Sequence, residues 1–166
     1  MLPSSLFTIE NLKFLDISNN LIGSPKVANS CLSESIGAAQ ALVELQCSGN
    51  QLVELPKSIG DLRKLEVLNL RDNKIRDLPD ELGLLSEQLL KLNLEGNQLK
   101  VVPPCLGNLQ RLSDLNLAKN KIRDVPADSL INLRNLVMLD LHQNCFETFS
   151  AVPISNKLDT LNLAYN

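Results

Sequence analysis

The chain has 166 residues and a net charge of −3, from 16 basic and 19 acidic side chains. That balance offers neither the basic stripe of a nucleic-acid binder nor a polybasic membrane anchor. Hydrophobic residues reach 44% while aromatics stop at 3%, with no Trp, so the core must be built from many small equivalent aliphatic side chains rather than a few rings. No apolar run approaches the roughly 20 residues of a membrane span, and Met1 to Phe7 lacks the basic start and long apolar core of a signal peptide.

The chain opens in the middle of a unit. Leu2-Pro3 stands ten residues before Leu12, just as Leu55-Pro56 stands ten before Leu65. From Leu12 an eleven-position pattern, LxxLxLxxNxL, returns down the chain. It is met at Leu12, Leu15, Ile17, Asn20, Ile22; at Leu42, Leu45, Cys47, Asn50, Leu52; and at Leu65, Leu68, Leu70, Asn73, Ile75. Further copies are Leu89, Leu92, Leu94, Asn97, Leu99; Leu112, Leu115, Leu117, Asn120, Ile122; and Leu136, Leu139, Leu141, Asn144, Phe146. A seventh starts at Leu158, Leu161, Leu163 and stops at Asn166. Starts are separated by 30, 23, 24, 23, 24 and 22 residues. Self-similarity at this period marks a solenoid, in which each unit buries its apolar face only against its neighbours. The long first spacing has its extra residues between Ile22 and Leu32, and the Gly, Ser, Pro and Asn of residues 23–31 predict an insertion loop.

Each unit predicts the same local structure. Val67-Leu68-Asn69-Leu70-Arg71 alternates, so Leu68 and Leu70 face a core while Val67, Asn69 and Arg71 face out. Seven such strands side by side would give a parallel sheet roughly 29 Å across. The Asn that follows can donate and accept together, which suits buried backbone groups of its own turn and the next. Asn20, Asn50, Asn73, Asn97, Asn120 and Asn144 are therefore expected to form a buried structural ladder. The return segment, as in Leu55 to Leu62, carries Pro56, Pro79, Pro103 and Pro126, which break a strand. Extended chain, 3-10 turns or helices of one to two turns are expected there, the longest at Pro79 to Leu85 and Ala127 to Leu133. The segment from Glu147 to Asn156 departs from this return pattern. Of the cysteines, Cys47 replaces a core Leu and is expected to be buried, while Cys31, Cys105 and Cys145 read as isolated surface thiols. There is no CxxC pair and no N-x-Ser/Thr acceptor, which favours a reducing, cytoplasmic setting.

The chain resembles the intracellular leucine-rich repeat proteins with 23-residue repeats of the form LxxLxLxxNxLxxLPxxIgxLxx, of the Shoc-2, Ras-suppressor and plant intracellular Ras-group type. The resemblance covers residues 2–166. It implies an α/β solenoid, an arc with a concave parallel sheet of about seven short strands and a convex side of loops, 3-10 turns and short helices. It also implies a non-catalytic protein–protein interaction scaffold in signalling, binding a partner on the concave sheet.

On that reading the outward strand positions form the recognition surface. One column, Asp16, Gln46, Asn69, Asn93, Asn116, Asp140 and Asn162, is wholly polar. The candidate partner-binding patch is Arg71, Lys91, Asn93, Glu95, Asp114, Asn116, Asp140 and His142. The single His and the spacing of the Ser, Cys and acidic residues form no nucleophilic constellation, no metal-ligand set and no phosphate loop, so no catalytic residue, metal or cofactor is expected. A single domain over residues 1–166 is expected, open at both ends, read as part of a longer array and capable of end-to-end self-association. Two alternatives stand beside the scaffold. One is the recognition region of a larger signalling enzyme (a kinase, cyclase, phosphatase or ubiquitin ligase). The other is a ligand-sensing receptor or effector repeat domain.

Overall fold

The computed structural model describes residues 2–26, 31–126, 129–130, 132–147 and 155–166. Among these, seven three-residue strands form one sheet in chain order, every neighbouring pair parallel. They are β1 (Phe14–Asp16), β2 (Glu44–Gln46), β3 (Val67–Asn69), β4 (Lys91–Asn93), β5 (Asp114–Asn116), β6 (Met138–Asp140) and β7 (Thr160–Asn162). The register follows the repeat: Leu15 lies beside Leu45, then Leu68, Leu92, Leu115, Leu139 and Leu161. A sheet that binds strand to strand in sequence order, with a complete turn of chain between strands, is a leucine-rich repeat solenoid arc.

The core is continuous. Leu45, Leu68, Leu92, Leu115 and Leu139 of the strands are buried, as are the Leu or Ile residues at the other motif positions of the interior repeats. Cys47 fills a leucine slot there, and burial pushes its thiol up to about 12. Backbone pairing continues past each strand: Leu70 N–H donates to the Asn93 carbonyl at 2.8 Å and Asp72 N–H to the Glu95 carbonyl at 2.8 Å. The residue before each ladder Asn then turns left-handed, and φ is positive at Asn19, Gly49, Asp72, Gly96, Lys119, Gln143 and Tyr165.

On the convex side, the returns form 3-10 helices at Ser4–Thr8, Glu34–Ala38, Lys57–Asp61, Asp80–Leu85 and Pro104–Asn108. Pro3, Pro56, Pro79 and Pro103 each precede one in extended conformation. These turns stack closely. A Cβ on Gly60 would collide with the Glu81 carbonyl, which is why Gly follows the Ile of the return. Glu34 reaches across to the next repeat, where its carboxylate accepts from the Lys57 N–H at 3.1 Å and the Ser58 N–H at 2.9 Å. The Ser58 bond holds the Glu34 carboxyl below the usual glutamate value of 4.5. The Ala127–Leu133 helix candidate includes residues 127, 128 and 131, and the Glu147–Asn156 segment includes 148–154, all outside the described residues. The same holds for residues 27–30 of the insertion.

Two expectations need correction. Cys105 is no surface thiol: it is 4% exposed, packed inside the Pro104–Asn108 turn, and burial pushes it up to about 12 as well. Asn20 is exposed rather than a buried rung. Among the described residues its amide donates only to Ile17 and Ser18 of its own turn, because no described strand lies before β1 to supply the further carbonyl.

Candidate binding site on the concave sheet

The buried Asn positions share one bonding scheme. Asn97 donates to the carbonyls of Leu70 (2.9 Å), Leu94 (3.0 Å) and Glu95 (3.4 Å), and its Oδ1 accepts from the Ile75 N–H at 2.9 Å. Asn50, Asn73, Asn120 and Asn144 repeat it. Asn166, which the sequence reading left outside the ladder, adds another rung with bonds to Leu141 and Leu163. These bonds set the pitch of the sheet and hence the spacing of everything on its concave side.

The polar concave column has a second backbone role that strand alternation does not reveal. Asn69, Asn93 and Asn116 each accept, through Oδ1, the N–H two residues on, at 3.1, 3.0 and 3.0 Å. Asp16, Asp140 and Asn162 do the same. These are Asx turns, which start the bend after each strand. Gln46 is one methylene too long for it and instead donates to Glu44 at 2.8 Å. The sequence carried the signal in the choice of Asn or Asp at six of the seven positions, the side chains that can reach back to their own backbone.

The eight candidate residues fall into three groups. Lys91, Asn93, Asp114 and Asn116 line one shallow hollow of about 260 Å³, together with Gln46, Val67, Asn69 and Met138. Val67 and Met138 supply its apolar walls. Asn93 uses its oxygen for the turn, and among the described residues its Nδ2 meets no protein acceptor. Lys91 forms no ion pair there either. Asp114 accepts a short bond from the Ser113 hydroxyl.

Arg71 and Glu95 form a different group, completed by Lys119, which sequence reasoning did not single out. The Glu95 side chain is only 9% exposed, between the Arg71 guanidinium at 3.3 Å and the Lys119 ammonium at 2.7 Å. Asn116 Nδ2 adds a bond at 3.4 Å, and Arg71 also meets Asp72 at 3.1 Å. Glu95 was expected to face solvent with its column, and it is instead buried by cations from the repeats on either side. Lys119 could have been found by spacing, since it sits 24 residues after Glu95, one repeat on. The third group is Asp140 and His142, whose Oδ1 and Nδ1 lie 2.7 Å apart. His142 does not join Asp114, and among the described residues no group of three or more His, Cys, Asp or Glu could hold a metal ion.

This geometry belongs to a known architecture. The family description "Leucine-rich repeat region" matches residues 1–161. The chain belongs to the leucine-rich repeat family. A leucine-rich repeat and calponin homology domain-containing protein of Drosophila melanogaster is 41% identical over 76 residues, 45% of this chain and 8% of the fly protein. The solved structure of the plant peptide hormone receptor RGFR1 in complex with RGF2 superposes with a TM-score of 0.81 at 26% identity, over 99% of this chain and 26% of the receptor. The Arabidopsis receptor kinase HAESA, in complex with the peptide hormone IDA and the co-receptor SERK1, gives 0.74 at 25% identity, over 98% of this chain and 27% of that one. This leucine-rich repeat region thus spans a small part of each of these proteins. No helix among its described residues is long and apolar enough to cross a membrane.

Proposed function

We propose that this chain is a non-catalytic protein-interaction module that holds an exposed segment of a partner protein against the concave sheet. The observation that carries this is the hollow over β3 to β6. Val67 and Met138 offer apolar contact, the Asn93 Nδ2 offers an N–H to a ligand carbonyl, and Lys91 is an unpaired cation beside them. An apolar patch set among directional polar groups is the pattern of a moderate protein interface. The two plant receptors bear on this reading, since one is a peptide hormone receptor in complex with RGF2 and the other is in complex with the peptide hormone IDA. A scaffold role in cytoplasmic signalling is supported by the Shoc-2-type repeat form and by four cysteines that are all free.

The test is affinity capture with mass spectrometry, wild type against a Lys91→Glu, Met138→Lys double variant, with circular dichroism confirming that the sheet persists. A partner retained by the wild type and lost by the variant supports the reading. Identical captures from both would refute concave binding. A second reading, the recognition region of a larger signalling enzyme, is favoured by the likeness to a receptor kinase. It predicts that the full-length transcript encodes a catalytic domain.

A further inference from the structure

A second surface lies off the sheet, on the flank where the chain leaves each ladder Asn. Here successive repeats are tied by backbone bonds: Arg76 N–H to the Val53 carbonyl (3.3 Å), Lys121 N–H to Leu99 (2.9 Å) and Arg123 N–H to Lys100 (3.0 Å). Val101 and Asp124 form a parallel bridge beyond the main sheet. These links bring residues of three consecutive repeats to the wall of one cleft of about 640 Å³. Arg76, Lys100 and Lys121 line it, all three exposed, with Val101 and Pro104 as an apolar floor.

Three cations face one acid in this cleft. Among the described residues none of the three cations forms an ion pair within 4 Å. The one acid in the lining, Asp77, has an oxygen engaged by the Leu78 N–H at 2.8 Å. Three unpaired cations therefore converge on a cleft in a chain whose net charge is −3. Holding three cations against a single acid costs folding energy, and a ligand carrying further negative charge offsets that cost.

We propose that this flank cleft is a docking site for an acidic peptide segment of a protein partner, with carboxylates paired to Arg76, Lys100 and Lys121 and an apolar side chain over Val101 and Pro104. The fit is to a short peptide rather than to a nucleic acid. The cations are confined to three repeats rather than forming a long track for a phosphate backbone, and the floor is aliphatic and proline rather than aromatic, with no ring for a base to stack on. The site is separate from the concave hollow, so either can fail without the other.

The experiment is fluorescence anisotropy with three labelled probes. One is a peptide of glutamates interleaved with leucines, one its glutamine counterpart, and one a short oligothymidylate. Wild type should bind the glutamate peptide, bind the glutamine peptide at least about tenfold more weakly, and lose affinity as salt rises from about 50 mM to about 300 mM. The Arg76→Gln, Lys100→Gln, Lys121→Gln variant should lose at least about tenfold, with an unchanged circular dichroism spectrum. Lys64→Gln, an exposed position that lines neither the flank cleft nor the concave hollow, should bind as wild type. Binding unchanged in the triple variant, absence of binding to the glutamate peptide, or tighter binding of the oligothymidylate would each overturn the proposal. A triple variant that unfolds would be replaced by Lys100→Gln alone, read against the same expectation of weakened peptide binding and unchanged behaviour for Lys64→Gln.

Discussion

Two columns of Asn run along this molecule four residues apart, and they have opposite requirements. In the ladder, Asn73 and its equivalents are buried and need both halves of the amide, since three carbonyls take the Nδ2 and one N–H takes the Oδ1. In the concave column, Asn93 and its equivalents give the backbone only the oxygen, which closes the turn after the strand, while the Nδ2 of Asn69 and Asn116 meets side chains of the neighbouring repeat. The chain contains the corresponding substitutions already. Asp stands at Asp16 and Asp140 in the concave column, where a carboxylate accepts as well as an amide does, and never in the ladder, where it would offer no donor and bury a charge. Identical residues at regular spacing can thus hold two roles, and the difference is which atoms the backbone asks for.

That contrast can be broken by swapping one atom. Asn97→Asp should be the most damaging change, costing about 3 kcal/mol or more in urea denaturation, because a charge is buried facing carbonyls. Asn97→Ala should cost about 1–3 kcal/mol, the cost of orphaning buried backbone groups. Gly96→Ala tests the turn between the columns. Its φ of +69° disfavours any side chain, and a Cβ would push the Asp72 carboxylate aside, so a loss of about 1–2 kcal/mol is expected. Asn93→Ala should cost about 0.5–1 kcal/mol, and Asn93→Asp should fall within about 0.5 kcal/mol of wild type. If the two Asp variants lose equal stability, the two columns do not differ as described.

The smallest effect concerns the convex side. Folding lowers the Glu34 carboxyl below 4.5, so its contribution is present above that pH and is lost as pH falls through the lower, folded value. Glu34→Gln should therefore be slightly less stable than wild type at neutral pH, and the urea midpoints of the two should converge below about pH 4. Parallel curves across that range would mean that the cross-repeat carboxylate bond does not form.

Period and strand register were legible because each repeat states them again, and Leu65 to Ile75 alone predicts β3, its turn and its ladder Asn. Four of the five convex 3-10 helices follow a Pro; before Glu34–Ala38 that place is taken by Ser33. What escaped depends on contacts between repeats rather than within one. Cys105 occupies the register of Ser35, Ser58 and Glu81, a run whose polarity conceals how closely the turns stack. Glu95 alternates outward with Arg71 and Ala118, and its burial arises only when Arg71 and Lys119 close over it from both sides. The concave column was read as a recognition surface because alternation reports which way a side chain points and not what its oxygen meets. The partition of the eight candidate residues into a hollow, an ion cluster and an Asp–His pair likewise required distances across strands.

The ladder also has a direction. Each Asn serves the repeat before it: Asn97 takes the Ile75 N–H and gives to the Leu70 carbonyl, both of the preceding unit. Stripping a repeat from the C-terminal side leaves its predecessor with an orphaned donor and an orphaned acceptor. Stripping one from the N-terminal side leaves only an Asn with its own-turn bonds, as Asn20 now has. A stack so wired is a ratchet under load. Drawn apart by its two ends in an optical trap, it should surrender its units more readily from the front than from the back, and the force trace would show the polarity of the chain.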